Sequence, residues 1–373
     1  MRALTLGLWL SLAQPVFAAG VAGADFLKIV TSPRAVGMGE SGAGVCDDVL
    51  TAMALNTACL SRLAYSEVAF TYNKWFEGVS MQHVAFAYPT ARSGAFAFSG
   101  TMLDVASFAG YDNSGTSAGD VTARDLAFQA AYGRRLFGPP QDRRFGLFAG
   151  AGLKRVESRL ETAKASALMW DAGLLYAGRL GPGVGGVGAS AQSLGQGLKF
   201  DTGRDSPPTV YRLGLGYTLP AFGDPLTCAL DLKKPIDDSL SFGFGMEYVV
   251  KRVLAWRLGF APEKDLGGGF RFGVGFNLKV VSVEYALSPA GDFGVTHLIG
   301  LSARFGQPVE RLPVLTPDEE KSDWRLKRGR KLLSEGRAYD AAFELSEALR
   351  LNPHNKKALL LLRDARDAVE VLK

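Results

Sequence analysis

Several short patterns in this chain could do chemistry, and each is tested by what surrounds it. Gly37-Met38-Gly39-Glu40-Ser41-Gly42 and Gly183 through Gly188 both carry the G-x-G-x-x-G spacing that lets backbone amides approach a pyrophosphate. That use requires a strand before the glycines and a helix after them, and neither stretch has this setting in a chain with 45 glycines. Gly115-Thr116-Ser117-Ala118-Gly119 matches the spacing of a nucleophile elbow but lies in a polar loop, without the strand-turn-helix strain that exposes such a serine. His83, His297 and His354 are scattered, and give neither metal-ligand spacing nor a base near a nucleophile. The reading is therefore no enzyme, no metal and no cofactor. Cys46, Cys59 and Cys228 are too few for a disulfide framework; a Cys46–Cys59 bridge and two separate thiols both remain open.

The elements that would position any site have a two-residue beat. Leu240, Phe242, Phe244, Met246, Tyr248 and Val250 alternate with Ser241, Gly243, Gly245 and Glu247; Phe270, Phe272, Val274, Phe276, Leu278 and Val280 alternate with Arg271, Gly273, Gly275, Asn277 and Lys279. Alternation of this kind gives a strand one apolar face and one polar or glycine-rich face. Fourteen such stretches run from about residue 67 to 305, and the glycine-rich one at 183–194 is the weakest. Connections after odd-numbered strands include long polar ones, near 105–122 and 195–208, whereas those after even-numbered strands are tight, down to Lys251 and Arg252 alone. Outer-membrane barrels sort their loops by side in this way. Closure in lipid also removes the unpaired edges of a large sheet and hides its apolar face. Leu254, Trp256, Leu258 and Phe260 then face acyl chains, while Arg212, Glu247, Arg257, Arg271, Lys279, Glu284 and Arg304 line the interior. Tyr88, Tyr217, Tyr285 and Phe305 fall near strand ends, where aromatic girdles sit.

The ends complete the organisation. Arg2, the apolar run Leu4–Leu12 and Val16-Phe17-Ala18 predict a signal peptide over residues 1–18. A net charge of +5, with arginines spread among strands and turns, does not call for nucleic acid. Residues 306–317, with Pro308, Pro313 and Pro317, read as a linker, and 318–373 turn helical. Gly329, Ala341, Leu345, Ala348 and Pro353 match one tetratricopeptide unit, followed by a capping helix. A single unit cannot bury its own groove, so the tail is expected to dock on a periplasmic protein through those positions.

Residues 19–66 do not follow the beat. Gly23-Ala24-Asp25-Phe26-Leu27, Pro33-Arg34-Ala35-Val36-Gly37-Met38-Gly39, Asp47-Asp48 and Asn56-Thr57-Ala58 resemble the amino-terminal hatch of the PorV/PorQ and FadL-like outer-membrane proteins, with Thr57 where proline is usual. Asn73-Lys74-Trp75-Phe76, Asp171 to Tyr176 and Gly291 to His297 extend the resemblance along roughly residues 20–306, and an uncharacterised spirochaete family is similar too. The resemblance implies an all-β transmembrane protein: a fourteen-stranded antiparallel barrel over 67–305 with a hatch in its lumen, bearing Gly37, Met38, Gly39, Asp47, Asp48 and Asn56. From FadL it implies passage of hydrophobic small molecules such as long-chain fatty acids, whose carboxylate would meet Arg212, Arg257, Arg271 or Arg304. From PorV/PorQ it implies instead a type IX-like secretion component that holds exported proteins on the loops at 105–122 and 195–208. An even strand number puts both termini on one side, read as periplasmic.

Overall fold

The computed structural model describes residues 22–111, 114–139, 142, 144–161, 163–200, 203–262, 269–309, 317–353 and 355–371. The proposed signal peptide, His354 and most of the linker lie outside them. Sixteen strands follow four short helical segments: β1 (Ser66–Lys74), β2 (Val79–Pro89), β3 (Ala95–Tyr111), β4 (Ser117–Phe137), β5 (Gly146–Leu160), β6 (Ala163–Leu180), β7 (Gly183–Gly195), β8 (Lys199–Phe200), β9 (Gly203–Arg204), β10 (Val210–Ala221), β11 (Asp224–Pro235), β12 (Ser241–Val250), β13 (Leu254–Phe260), β14 (Phe270–Leu278), β15 (Val281–Pro289) and β16 (Val295–Phe305). Strands β8 and β9 form a small separate hairpin. The other fourteen pair antiparallel with their neighbours and close when β1 meets β16, from Ser66 opposite Phe305 to Lys74 opposite His297. A closed ladder leaves no edge, and that permits a sheet to stand in hydrocarbon.

The beat places the side chains. Along β6 buried and exposed residues alternate almost without interruption, and β13 does the same with Trp256 and Leu258 outward and Ala255, Arg257 and Gly259 inward. Phe98, Phe128, Trp170, Trp256, Leu258, Phe272 and Leu301 are each at least half exposed on the outer face. An apolar girdle this continuous requires a lipid surround. Among the described residues, no helix is long and apolar enough to cross a membrane.

Two expectations need correction. Residues 105–122 are strand for most of their length, because β3 continues to Tyr111 and β4 begins at Ser117, with register shifts near Val105 and Gly110. Residues 106–109 are all exposed there, so the segment has no buried face and no alternation to announce it. Lys279 belongs to the turn after β14, with φ of +44°, and not to a lumen-facing strand position. The two-residue turn Lys251-Arg252 is as tight as its spacing predicts, with both residues at positive φ, as a type I′ hairpin demands.

The helical unit consists of α3 (Pro317–Ser334), α4 (Ala338–Leu351) and α5 (Lys356–Val371). Gly329 lets Leu345 come close, and Ala341, Leu345 and Ala348 are fully buried with Ala365 and Leu362. These positions therefore form the interior of the helical unit, which corrects their assignment as a partner surface; Pro353 is exposed. They are small or apolar because helices must approach closely there.

Candidate functional site

The site is built where the amino-terminal segment fills the barrel. It has four helical pieces, Asp25–Lys28, α1 (Pro33–Gly37), α2 (Val49–Leu55) and Thr57–Arg62, and the last three are capped by side chains. Ser32 accepts from Ala35 N, Asp48 from Thr51 N, and Asn56 from Ala58 N. Asn56 then uses its amide to reach the Ala43 and Leu174 carbonyls, tying the segment to β6. Thr57, where proline was expected, starts the last piece without disturbing this cap. Cys46 and Cys59 are bonded as a disulfide, which resolves the alternatives left open by the sequence.

Glycines of the inner wall seat this segment. A Cβ built at Gly245 would lie 2.3 Å from the Met38 carbonyl oxygen, one at Gly243 2.0 Å from that of Gly39, and one at Gly273 3.1 Å from the Gly37 Cα. On the opposite wall Gly186 and Gly188 meet the carbonyls of Gly44 and Ala43, and Gly150 meets Thr57. No side chain fits at these contacts, so the glycines that make 183–188 a poor strand pattern on paper are the seat of the hatch.

Ionic groups then latch it. Arg34 on α1 donates to both oxygens of Glu247 at 2.7 and 3.0 Å, to Asp48 at 3.0 Å and to Asp47. Burial opposes the Arg34 charge, but Glu247, Asp47 and Asp48 outweigh it and hold its pKa above the ordinary value. Asp231 accepts from the amides of Gly42 and Ala43 at 3.1 Å each. Glu40 takes Arg271 at 2.7 Å and Lys233 at 2.8 Å. Burial disfavours its charge, yet the two cations prevail and hold the carboxyl well below the usual range.

The hatch separates two chambers. One, of about 360 Å³, lies at the end of the short turns and is lined by Arg34, Arg62, Asp47, Asp48, Glu247, Arg257, Glu284 and Arg304. The other, of about 860 Å³, opens at the end of the long loops. Ile29, Val30, Val36, Trp75, Phe76 and Leu298 give it an apolar body, and its charged lining includes Arg212, Lys233, Arg271 and Glu40 along with Asp25, Lys28, Lys234 and Asp238. The four arginines expected to meet one ligand are thus split between chambers, and each has a protein partner. Arg257 donates to Glu247 at 2.7 Å and Glu284 at 2.9 Å, and Arg304 to Glu67 at 3.4 Å. Arg212 donates to the Glu40 carbonyl at 2.7 Å and lies 3.4 Å from Asp231. Buried guanidinium groups acquire such partners because an unpaired one is costly. Glu40, Lys233, Arg34 and Asp231 were not singled out from sequence as site residues, although Glu40 stands inside one of the glycine patterns.

The two described histidines each bond a neighbouring hydroxyl. His83 points into the lumen with Nδ1 2.8 Å from the Thr101 hydroxyl, and His297 faces outward against the Tyr285 hydroxyl at 2.7 Å. Among the described residues no group of His, Cys, Asp and Glu is arranged to hold a metal ion.

No protein-family model and no curated protein matches the chain. Among solved structures, the toluene transporter TodX of Pseudomonas putida superposes with a TM-score of 0.51 at 12% identity, over 75% of this chain and 100% of that one. A FadL homologue of Pseudomonas aeruginosa gives 0.43 at 10% identity, over 74% and 98%. Omp33 of Acinetobacter baumannii gives 0.38 at 12%, over 65% and 98%. The TodX superposition establishes a shared barrel fold, and the other two add nothing to that argument.

Proposed function

We propose that this chain is an outer-membrane channel for the uptake of hydrophobic small molecules, long-chain fatty acids among them, with both termini in the periplasm. The observation that carries the reading is the loop-end chamber. Its volume of about 860 Å³ lies in the range of small-molecule sites, and its apolar body ends in a few convergent polar groups, as such sites do. Passage onward requires the hatch to shift, and α1 is held on the wall by ion pairs, by glycine contacts and by Ala35 and Val36 packed with Ala286 and Leu298. A barrel fold shared with a toluene transporter agrees with this reading. Nothing in the geometry singles out the secretion role. Of the two loops it would use, that at 195–208 has Leu198 buried with Phe26, Met81 and Met169.

Uptake of radiolabelled palmitate by cells carrying the full chain in their outer membrane tests the proposal. Ser241 is half-buried on the chamber wall, so Ser241→Trp should fill the space and reduce uptake to that of cells without the chain. Equal uptake by both variants would reject the chamber as the route.

A further inference from the structure

Glu40 stands at the floor of the loop-end chamber in a conformation that its own sequence disfavours. Gly39 and Glu40 are both left-handed, at φ of +68° and +58°, and this is costly for a residue with a Cβ. The end of α1 and the wall hold it there together: its amide donates to the Ala35 carbonyl at 2.8 Å, Arg271 and Lys233 sit on its carboxylate, and Arg212 on its carbonyl. The chamber above offers an apolar body to a ligand, and two of the cations that line it, Arg271 and Lys233, are already occupied by Glu40.

We propose that Glu40 is a resident stand-in for the carboxylate of an acidic amphiphile, and that the ligand opens the hatch by exchanging its own carboxylate for that of Glu40 on Arg271 and Lys233. The inference rests on the loop-end chamber being the entry site. The exchange keeps Arg271 and Lys233 paired throughout, and the released Glu40 carboxylate moves into the water of the chamber, which is the cost of opening. The displaced Glu40 loses the two carboxylate contacts that help to hold its left-handed backbone. Relaxation of Gly39-Glu40 then withdraws Met38 and Gly39 from Gly243, Gly245 and Gly259, their seat on β12 and β13. A neutral molecule of equal length enters the same apolar body but cannot make the exchange.

Binding of palmitate and of hexadecanol to the full chain tests this, with heat-modifiable gel migration confirming that each variant folds. Glu40→Gln keeps the shape and removes the competing charge, so palmitate should bind about tenfold tighter while hexadecanol changes little. Lys233→Met, which leaves Glu40 with Arg271, should weaken palmitate alone. Palmitate, but not hexadecanol, should also speed tryptic cleavage at Arg34 in the unaltered chain. Hexadecanol binding with no gain for palmitate in Glu40→Gln would overturn the exchange and leave the channel standing. Failure of both probes to bind the unaltered chain would overturn the channel reading itself.

Discussion

At the scale of single residues, the buried charges are specific attachments. Arg34 shares Glu247, which has only 3% of its surface exposed, with Arg257, so Arg34→Met should weaken hatch docking, but by less than the roughly 3–5 kcal/mol of stranding a buried partner outright. Protease sensitivity of residues 24–63 would rise in that variant while the barrel stays folded. Glu40 gives a pH test. Its folded pKa is depressed, so its contribution is fully present above the unfolded value of about 4.3 and is lost only as the pH falls through the folded one. Amide exchange at Gly39 and Ser41 should therefore stay slow from neutral pH to about pH 4 and quicken only in stronger acid. The arginines that matter were visible in the sequence as polar interruptions of an apolar beat. Their partners were not, because Glu40 lies 193 and 231 positions from Lys233 and Arg271, and Arg34 213 from Glu247, and one sequence carries no signal for such a pairing.

At the scale of elements, glycine is the informative residue. The alternation of bulky and small positions in β12 and β14 was legible because a wall in lipid needs one apolar face. What the small face receives was not, since Gly243 or Gly186 reads in sequence as a weakening of the strand and in the fold as a socket for the Gly39 or Gly44 backbone. Gly245→Val should leave barrel closure intact and expel the Met38 segment, detected as hatch cleavage without loss of heat-modifiable migration. A valine tolerated with the hatch still protected would show that the seat is looser than drawn. The extension of β3 and β4 escaped the sequence reading because a strand with both faces in water has no period to follow.

At the scale of the whole molecule, the account requires lipid outside and a filled lumen within. Trp256→Arg places a charge on the apolar girdle and should cost roughly 2–4 kcal/mol in refolding into vesicles, provided the position lies near the midplane. Truncation after residue 317 should leave insertion unchanged, since the fourteen strands between Ser66 and Phe305 close on one another. The most direct measurement is photo-crosslinking of a diazirine-bearing palmitate to the full chain, with the labelled residues mapped by mass spectrometry. The account predicts labels on Ile29, Val30, Val36, Trp75 and Phe76, lost in Ser241→Trp. Labels confined to outer-face residues such as Phe272 and Leu301, unchanged in that variant, would contradict it.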